Sequence, residues 1–155
     1  MVAILNPVNE ILEQAIDRFW EVVPSVWNCI RENVRSIATE YFDVTVEQFH
    51  VLRHIRKGAG SVSELAEVRQ ISRPGISQAV DVLVDRGLIT RQQDTVDRRH
   101  VHLSLTPEGN AMLNTIFQKN RAWMEEKMTS LNPEELANIS RALSLLKTTF
   151  DDSSY

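Results

Sequence analysis

Cysteine occurs once in this chain, at Cys29, which excludes an intramolecular disulfide framework and any zinc site built on a cysteine cluster. Such sparing use fits a reducing compartment. No apolar run approaches the roughly 20 residues of a membrane-spanning helix. The first residues carry neither the basic segment nor the apolar core of a secretory signal, so the expected location is the cytoplasm. Five glycines are present, and none forms a Gly-rich phosphate loop. A serine nucleophile elbow and His-Glu or Cys-His arrangements at catalytic spacing are missing as well, which argues against an enzyme. Nothing is repeated or low in complexity, and 43% hydrophobic with 25% charged residues suits one globular domain that can bury a core.

An excess of positive charge is also missing. Seventeen Lys and Arg against 21 Asp and Glu leave a net charge of −4, which taken whole speaks against a polyanionic partner. The charges are unevenly placed, however. Residues 45–105 hold nine basic and seven acidic side chains, a balance of +2, whereas the remainder stands at −6. Only the middle is basic, and so slightly that affinity for nucleic acid would have to rest on a few well-placed arginines.

Local patterns divide the chain into segments. Residues 7–39 read as helix, with Ile11, Ile16, Phe19, Trp20, Val23, Val26, Trp27, Ile30, Val34 and Ile37 in a broad apolar stripe. Pro24 predicts a kink there, or two helices meeting. Thr45 with Gln48 forms a capping box for a helix that turns Phe49, Leu52 and Ile55 inward and stops at Gly58. Ser63 opens a short helix carrying Leu65 and Ala66, Ile71 marks a turn, and Ser72 caps a second helix with Pro74 in its first turn and Gly87 at its end. Two short strands follow, 88–91 and 101–105, around a polar tip at 92–99. Thr106-Pro107-Glu108 then starts a long helix to about Thr129, and Asn132-Pro133-Glu134-Glu135 starts the last.

The stretch from Ser63 to Gly109 is therefore a helix-turn-helix with a β-wing, and DNA binding is the leading expectation. Ile76, Val80 and Leu83 hold the second helix against the first, which leaves Ser72, Arg73, Pro74, Ser77 and Gln78 on its outer side, where a recognition helix meets base edges and phosphates. Arg suits guanine and Gln suits adenine. Arg99 at the wing tip suits the minor groove, with Asp97 orienting it and Arg98 as a phosphate contact. The first and last helices carry more apolar surface than a winged helix of about 60 residues can cover. A second copy is the simplest cover: paired about a two-fold axis, the terminal helices would set two recognition helices about 34 Å apart. The expected class is thus mainly α (α+β): a winged helix-turn-helix with a two-stranded wing and long terminal helices for dimerisation. Its segments are 1–44, 45–105 and 106–155, in one compact chain.

This order of elements, with DRRHVHLSLTPEG as its most specific part, resembles the MarR family of bacterial transcriptional regulators. The family wing runs Asp, any residue, Arg, then an alternating strand ending in Leu-Thr with a nearby Gly. It is met here by Asp97, Arg99, Leu103, Leu105, Thr106 and Gly109. The resemblance implies a homodimer that binds a pseudo-palindromic operator on double-stranded DNA, usually as a repressor, and is released by a small molecule or an oxidant. One departure stands out: the turn usually has an apolar residue then Gly, whereas this chain has Arg69-Gln70. Either Gln70 takes a left-handed conformation at a modest cost or the first helix ends differently; with Val68 replacing the missing apolar contact, Arg69 would point outward, toward DNA.

Each candidate has a plainer reading beside it. A winged helix can serve as a protein-interaction module that never binds DNA, and the wing arginines can be solvated partners of Asp94 and Asp97. Cys29 is a candidate redox sensor, although burial as a small helix residue explains it more simply. Trp20, Trp27 and Tyr41, with Trp123, could line a pocket for an aromatic or phenolic effector; as core aromatics they need no ligand. His50 with His54, and His100 with His102, are paired, but without a carboxylate or cysteine at suitable spacing they predict no metal site. No cofactor is expected.

Overall fold

The computed structural model describes residues 7–69, 72–93 and 101–151. In chain order these form α1 (Pro7–Phe42), α2 (Val46–Arg56), α3 (Val62–Arg69), α4 (Arg73–Asp85), β1 (Ile89–Gln93), β2 (Val101–Leu105), α5 (Pro107–Met128) and α6 (Pro133–Asp151). The contacts divide into two compact units, Met1–Asn120 and Arg121–Tyr155, so that α5 contributes to both.

Local chemistry sets most of the boundaries. Thr45 is the N-cap of α2 and makes the full capping box: its hydroxyl accepts from the Gln48 backbone while the Gln48 side chain accepts from the Thr45 backbone. At the start of α3 the Ser61 hydroxyl accepts from the Glu64 N–H at 3.2 Å, and the Glu64 carboxylate accepts from the Gly60 N–H at 2.7 Å. The helix therefore begins at Val62, one residue before Ser63, and the Ser61-x-x-Glu64 spacing was the signal for it. Helix α1 does not divide at Pro24 but continues through it as one 36-residue helix. Residues 21–25 are exposed, so water can take the carbonyl that the proline ring deprives of its donor.

The core of the first unit gathers from every element around the helix-turn-helix. Val44, Val51, Leu52, Leu65, Ile76, Val80, Leu83, Ile89, Leu113 and Ile116 are all fully buried, and Phe49 and Ile55 nearly so. Of the long stripe on α1, only the last turns take part: Ile37 and Ala38 are buried, and Val34 and Phe42 pack half-buried against the core. The side chains of Asn33 on α1 and Asn120 on α5 share a hydrogen bond of 2.9 Å, which satisfies polar groups at the edge of this core.

In the second unit the chain turns between α5 and α6 with Leu131 N–H donating to the Met128 carbonyl. Asn132 and Glu135 cap each other's backbone at 2.8 and 3.0 Å, the reciprocal arrangement that starts α6. None of the α6 side chains is buried. Among the described residues, no helix is long and apolar enough to cross a membrane.

Candidate nucleic-acid interface

Helix α4 has two unlike faces. Ile76, Ala79, Val80 and Leu83 are buried, while Ser72, Arg73, Pro74 and Gln78 are exposed and Ser77 is half-buried. Ser72 sits at the N-cap with extended backbone, φ −61° and ψ 141°, and its side chain makes no capping bond, so helix initiation rests on Pro74 in the first turn. The five side chains named on this helix lie together along its N-terminal half, on the side away from the core. That half also leaves first-turn N–H groups free of intrahelical partners, as every helix start does, and these suit a phosphate.

The wing lies against the same lobe. Strands β1 and β2 pair antiparallel in a register from Ile89 opposite Leu105 to Gln93 opposite Val101. Strand β1 extends two residues beyond the expected Arg91, into the expected hairpin tip. Leu103 is buried and Leu105 half-buried, whereas Val101, on the same side, is 39% exposed because the outer end of the ribbon runs beyond the core. The Leu103 N–H donates to the Gly60 carbonyl at 2.8 Å and ties the wing to the loop before α3.

The exit from the wing explains Thr106-Pro107-Glu108-Gly109. The Thr106 hydroxyl donates to the Gly87 carbonyl at 2.7 Å and accepts from the Gly109 N–H at 3.0 Å, joining the end of the recognition helix to the start of α5. A Cβ on Gly109 would collide with the Leu88 carbonyl oxygen, so only glycine permits this approach.

One pair went unnoticed in the sequence. Asp81, exposed on α4 one turn beyond Ser77, accepts from the Arg91 guanidinium of β1 at 2.6 Å. The pair bridges the recognition helix to the wing and borders a cleft of about 670 Å³ that includes Ser77 and His102. Asp81 follows Ser77 by four residues and so shares its side of the helix. That spacing signalled its place, while nothing local pointed to Arg91. Arg69 closes α3. Asp97, Arg98 and Arg99 at the wing tip, and Gln70 and Ile71 in the turn, lie outside the described residues.

The aromatic candidates separate. Trp27 lines a cavity of about 410 Å³ with Arg31, Phe49, His50, Arg53 and Phe117, between α1, α2 and α5. Trp20 and Tyr41 are not among the residues lining it. Trp20 is 71% exposed. The ring of Tyr41 lies 3.9 Å from the Lys119 ammonium, a cation–π contact. Cys29 is a free thiol and exposed, contrary to the expected burial, because the described residues leave its side of α1 open to solvent. Among the described residues no group of three or more His, Cys, Asp or Glu could hold a metal ion.

Comparison with known proteins agrees with this geometry. A family model described as "MarR family" matches residues 42–100, the span from the end of α1 through β1, ending just before β2. The HTH-type transcriptional repressor MdtR of Bacillus subtilis is 34% identical over 94 residues, which cover 60% of this chain and 61% of that protein. The crystal structure of transcriptional regulator Tm0710 from Thermotoga maritima superposes with a TM-score of 0.79 at 21% identity, covering 87% of this chain and 95% of that one, and shows the shared winged-helix fold. The multiple antibiotic resistance protein MarR of Salmonella typhimurium is 30% identical over 139 residues, 85% of this chain and 96% of its own. A match of that extent, with the family model falling on the lobe that presents α4, places this chain in the MarR family.

Proposed function

We propose that this chain is a sequence-specific DNA-binding regulator of transcription, acting as a homodimeric repressor on a pseudo-palindromic operator. The observation that carries the reading is α4 itself: an apolar half locked in the core, and Arg73, Ser77 and Gln78 presented on the other side. Placed in a major groove, Arg73 pairs with guanine or phosphate and Gln78 with adenine, while the wing reaches the adjoining minor groove with Arg99. Asp81 is neutralised by Arg91, which lowers its repulsion of the phosphates.

Self-association is supported by apolar surface. On α1, Ile11 and Trp20 are 67% and 71% exposed; on α6, Leu143 and Leu145 are 61% and 64% exposed. Faces of that kind seek a partner, and a second copy is the one that gives two recognition helices for two half-sites. The cavity beside Trp27, lined by aromatic rings and arginines, is the proposed seat of a small aromatic effector. Binding there shifts the population between DNA-competent and incompetent spacings to the extent that the effector prefers one of them.

Selection of duplexes from a random pool by the purified protein, with the winners titrated against salt, tests the reading. The expected result is an inverted repeat with half-sites about one helical turn apart and a steep salt slope. A pool that stays random would overturn it.

A further inference from the structure

Arg86 is the C-cap of α4, with φ −82° and ψ 0°, so its backbone is fixed by the last turn of the helix proposed to enter the groove. Its side chain spans to another helix. One guanidinium nitrogen, Nη1, donates to the Asp43 carbonyl at 2.7 Å and the other, Nη2, to the Phe42 carbonyl at 2.6 Å. These carbonyls stand at the end of α1, whose last turn has no basic residue of its own. A helix C-terminus offers carbonyl oxygens without intrahelical partners and about half a unit of negative charge. A forked guanidinium there is a charge-assisted cap with a fixed direction.

The turn that Arg86 holds is itself unusual. Asp43 has φ 49°, the left-handed region that a non-glycine residue seldom occupies, and Val44 beside it is fully buried. Besides the apolar burial of Ile37 and Ala38, this end of α1 is held by the Tyr41–Lys119 cation–π contact and the Asn33–Asn120 hydrogen bond, both made to α5 and neither to α4. Apolar contact resists separation but is non-directional, so it tolerates rolling and tilting. Two hydrogen bonds from one planar group do not.

We propose that Arg86 is a positioning residue for DNA recognition, setting the angle between α1 and α4 and so the separation of the two recognition helices in the dimer. The proposal rests on the dimeric DNA-binding reading above. It assigns Arg86 no contact with DNA. Without the clamp each recognition helix samples a wider range of positions relative to its twin, which weakens binding to the best-spaced operator and relaxes the choice among spacings.

The test compares wild type, Arg86→Gln and Arg86→Lys by fluorescence anisotropy on selected inverted repeats whose spacers differ by one or two base pairs, and on a single half-site, below the measured melting temperature of each protein. Arg86→Gln should lose about 10-fold on the best spacer, discriminate less among spacers, and bind the half-site as wild type does. Arg86→Lys, with the charge but no fork, should fall between, and it carries the comparison if the glutamine variant does not fold. An Arg86 variant that keeps the wild-type spacer preference, even with a lower melting temperature, overturns the proposal and leaves Arg86 a stabilising role. A wild-type protein that selects no sequence overturns the DNA-binding reading, and this inference with it.

Discussion

Helices α4 and α6 are both amphipathic, yet Ile76, Ala79, Val80 and Leu83 of α4 are buried, while α6 buries nothing and leaves Leu143, Leu145 and Phe150 exposed. Helix α1 holds both outcomes in one element: its last turns sink Ile37 and Ala38 into the lobe, whereas Ile11, Ile16 and Trp20 face solvent. The difference teaches that an apolar stripe states a demand for cover without naming the cover. Around α4 the chain supplies it from α2, α3 and β1. Along α6 and the first two-thirds of α1 the described residues leave apolar side chains exposed to solvent.

The sharpest break of this comparison is a cavity in the lobe. Leu83→Ala removes a fully buried side chain and should cost about 3 kcal/mol of unfolding free energy in urea titration, whereas Leu143→Ser, at an exposed position, should leave the lobe's stability unchanged and weaken self-association in sedimentation. Gly109→Ala follows, since its methyl must displace the Leu88 carbonyl; a loss of about 2 kcal/mol is expected by the same titration.

Function should respond where stability does not. Arg73→Ala removes an exposed side chain and should weaken operator binding by about 1 to 3 kcal/mol without moving the unfolding midpoint. Arg99→Ala carries the same expectation if the wing reads the minor groove, and unchanged affinity at matched salt would remove Arg99 from the interface.

Much of the lobe was legible because its punctuation is local. Thr45 with Gln48, Ser72 before Arg73-Pro74, and Thr106 through Gly109 each state a helix start within four residues, and alternation in residues 101–105 marks the strand. What escaped is contact between segments. Asp81 meets Arg91 across a helix and a strand, Arg86 meets carbonyls 43 and 44 residues earlier, and Tyr41 meets Lys119 from a different helix. No periodicity records such pairs. Trp20 and Trp27, seven residues apart, share one stripe by any helical count, yet only Trp27 reaches the cavity beside the lobe, because only the later part of α1 packs there.

Smaller effects sharpen the same contrast. Thr45→Ala, which deletes a complete capping box, should cost about 1 kcal/mol in thermal or urea unfolding. Arg121→Ala breaks a fully solvated pair with Glu125 and should shift stability by no more than a few tenths of a kcal/mol.

The measurement that bears most directly on the central claim is the stoichiometry of the DNA complex, by sedimentation of the protein with a selected inverted repeat and with one half-site. If the lobe reads DNA and the exposed helices join two copies, one dimer occupies the inverted repeat, and Leu143→Ser loses affinity for it while keeping its hold on the half-site. One chain per duplex, bound as tightly to the half-site as to the repeat, would contradict the account.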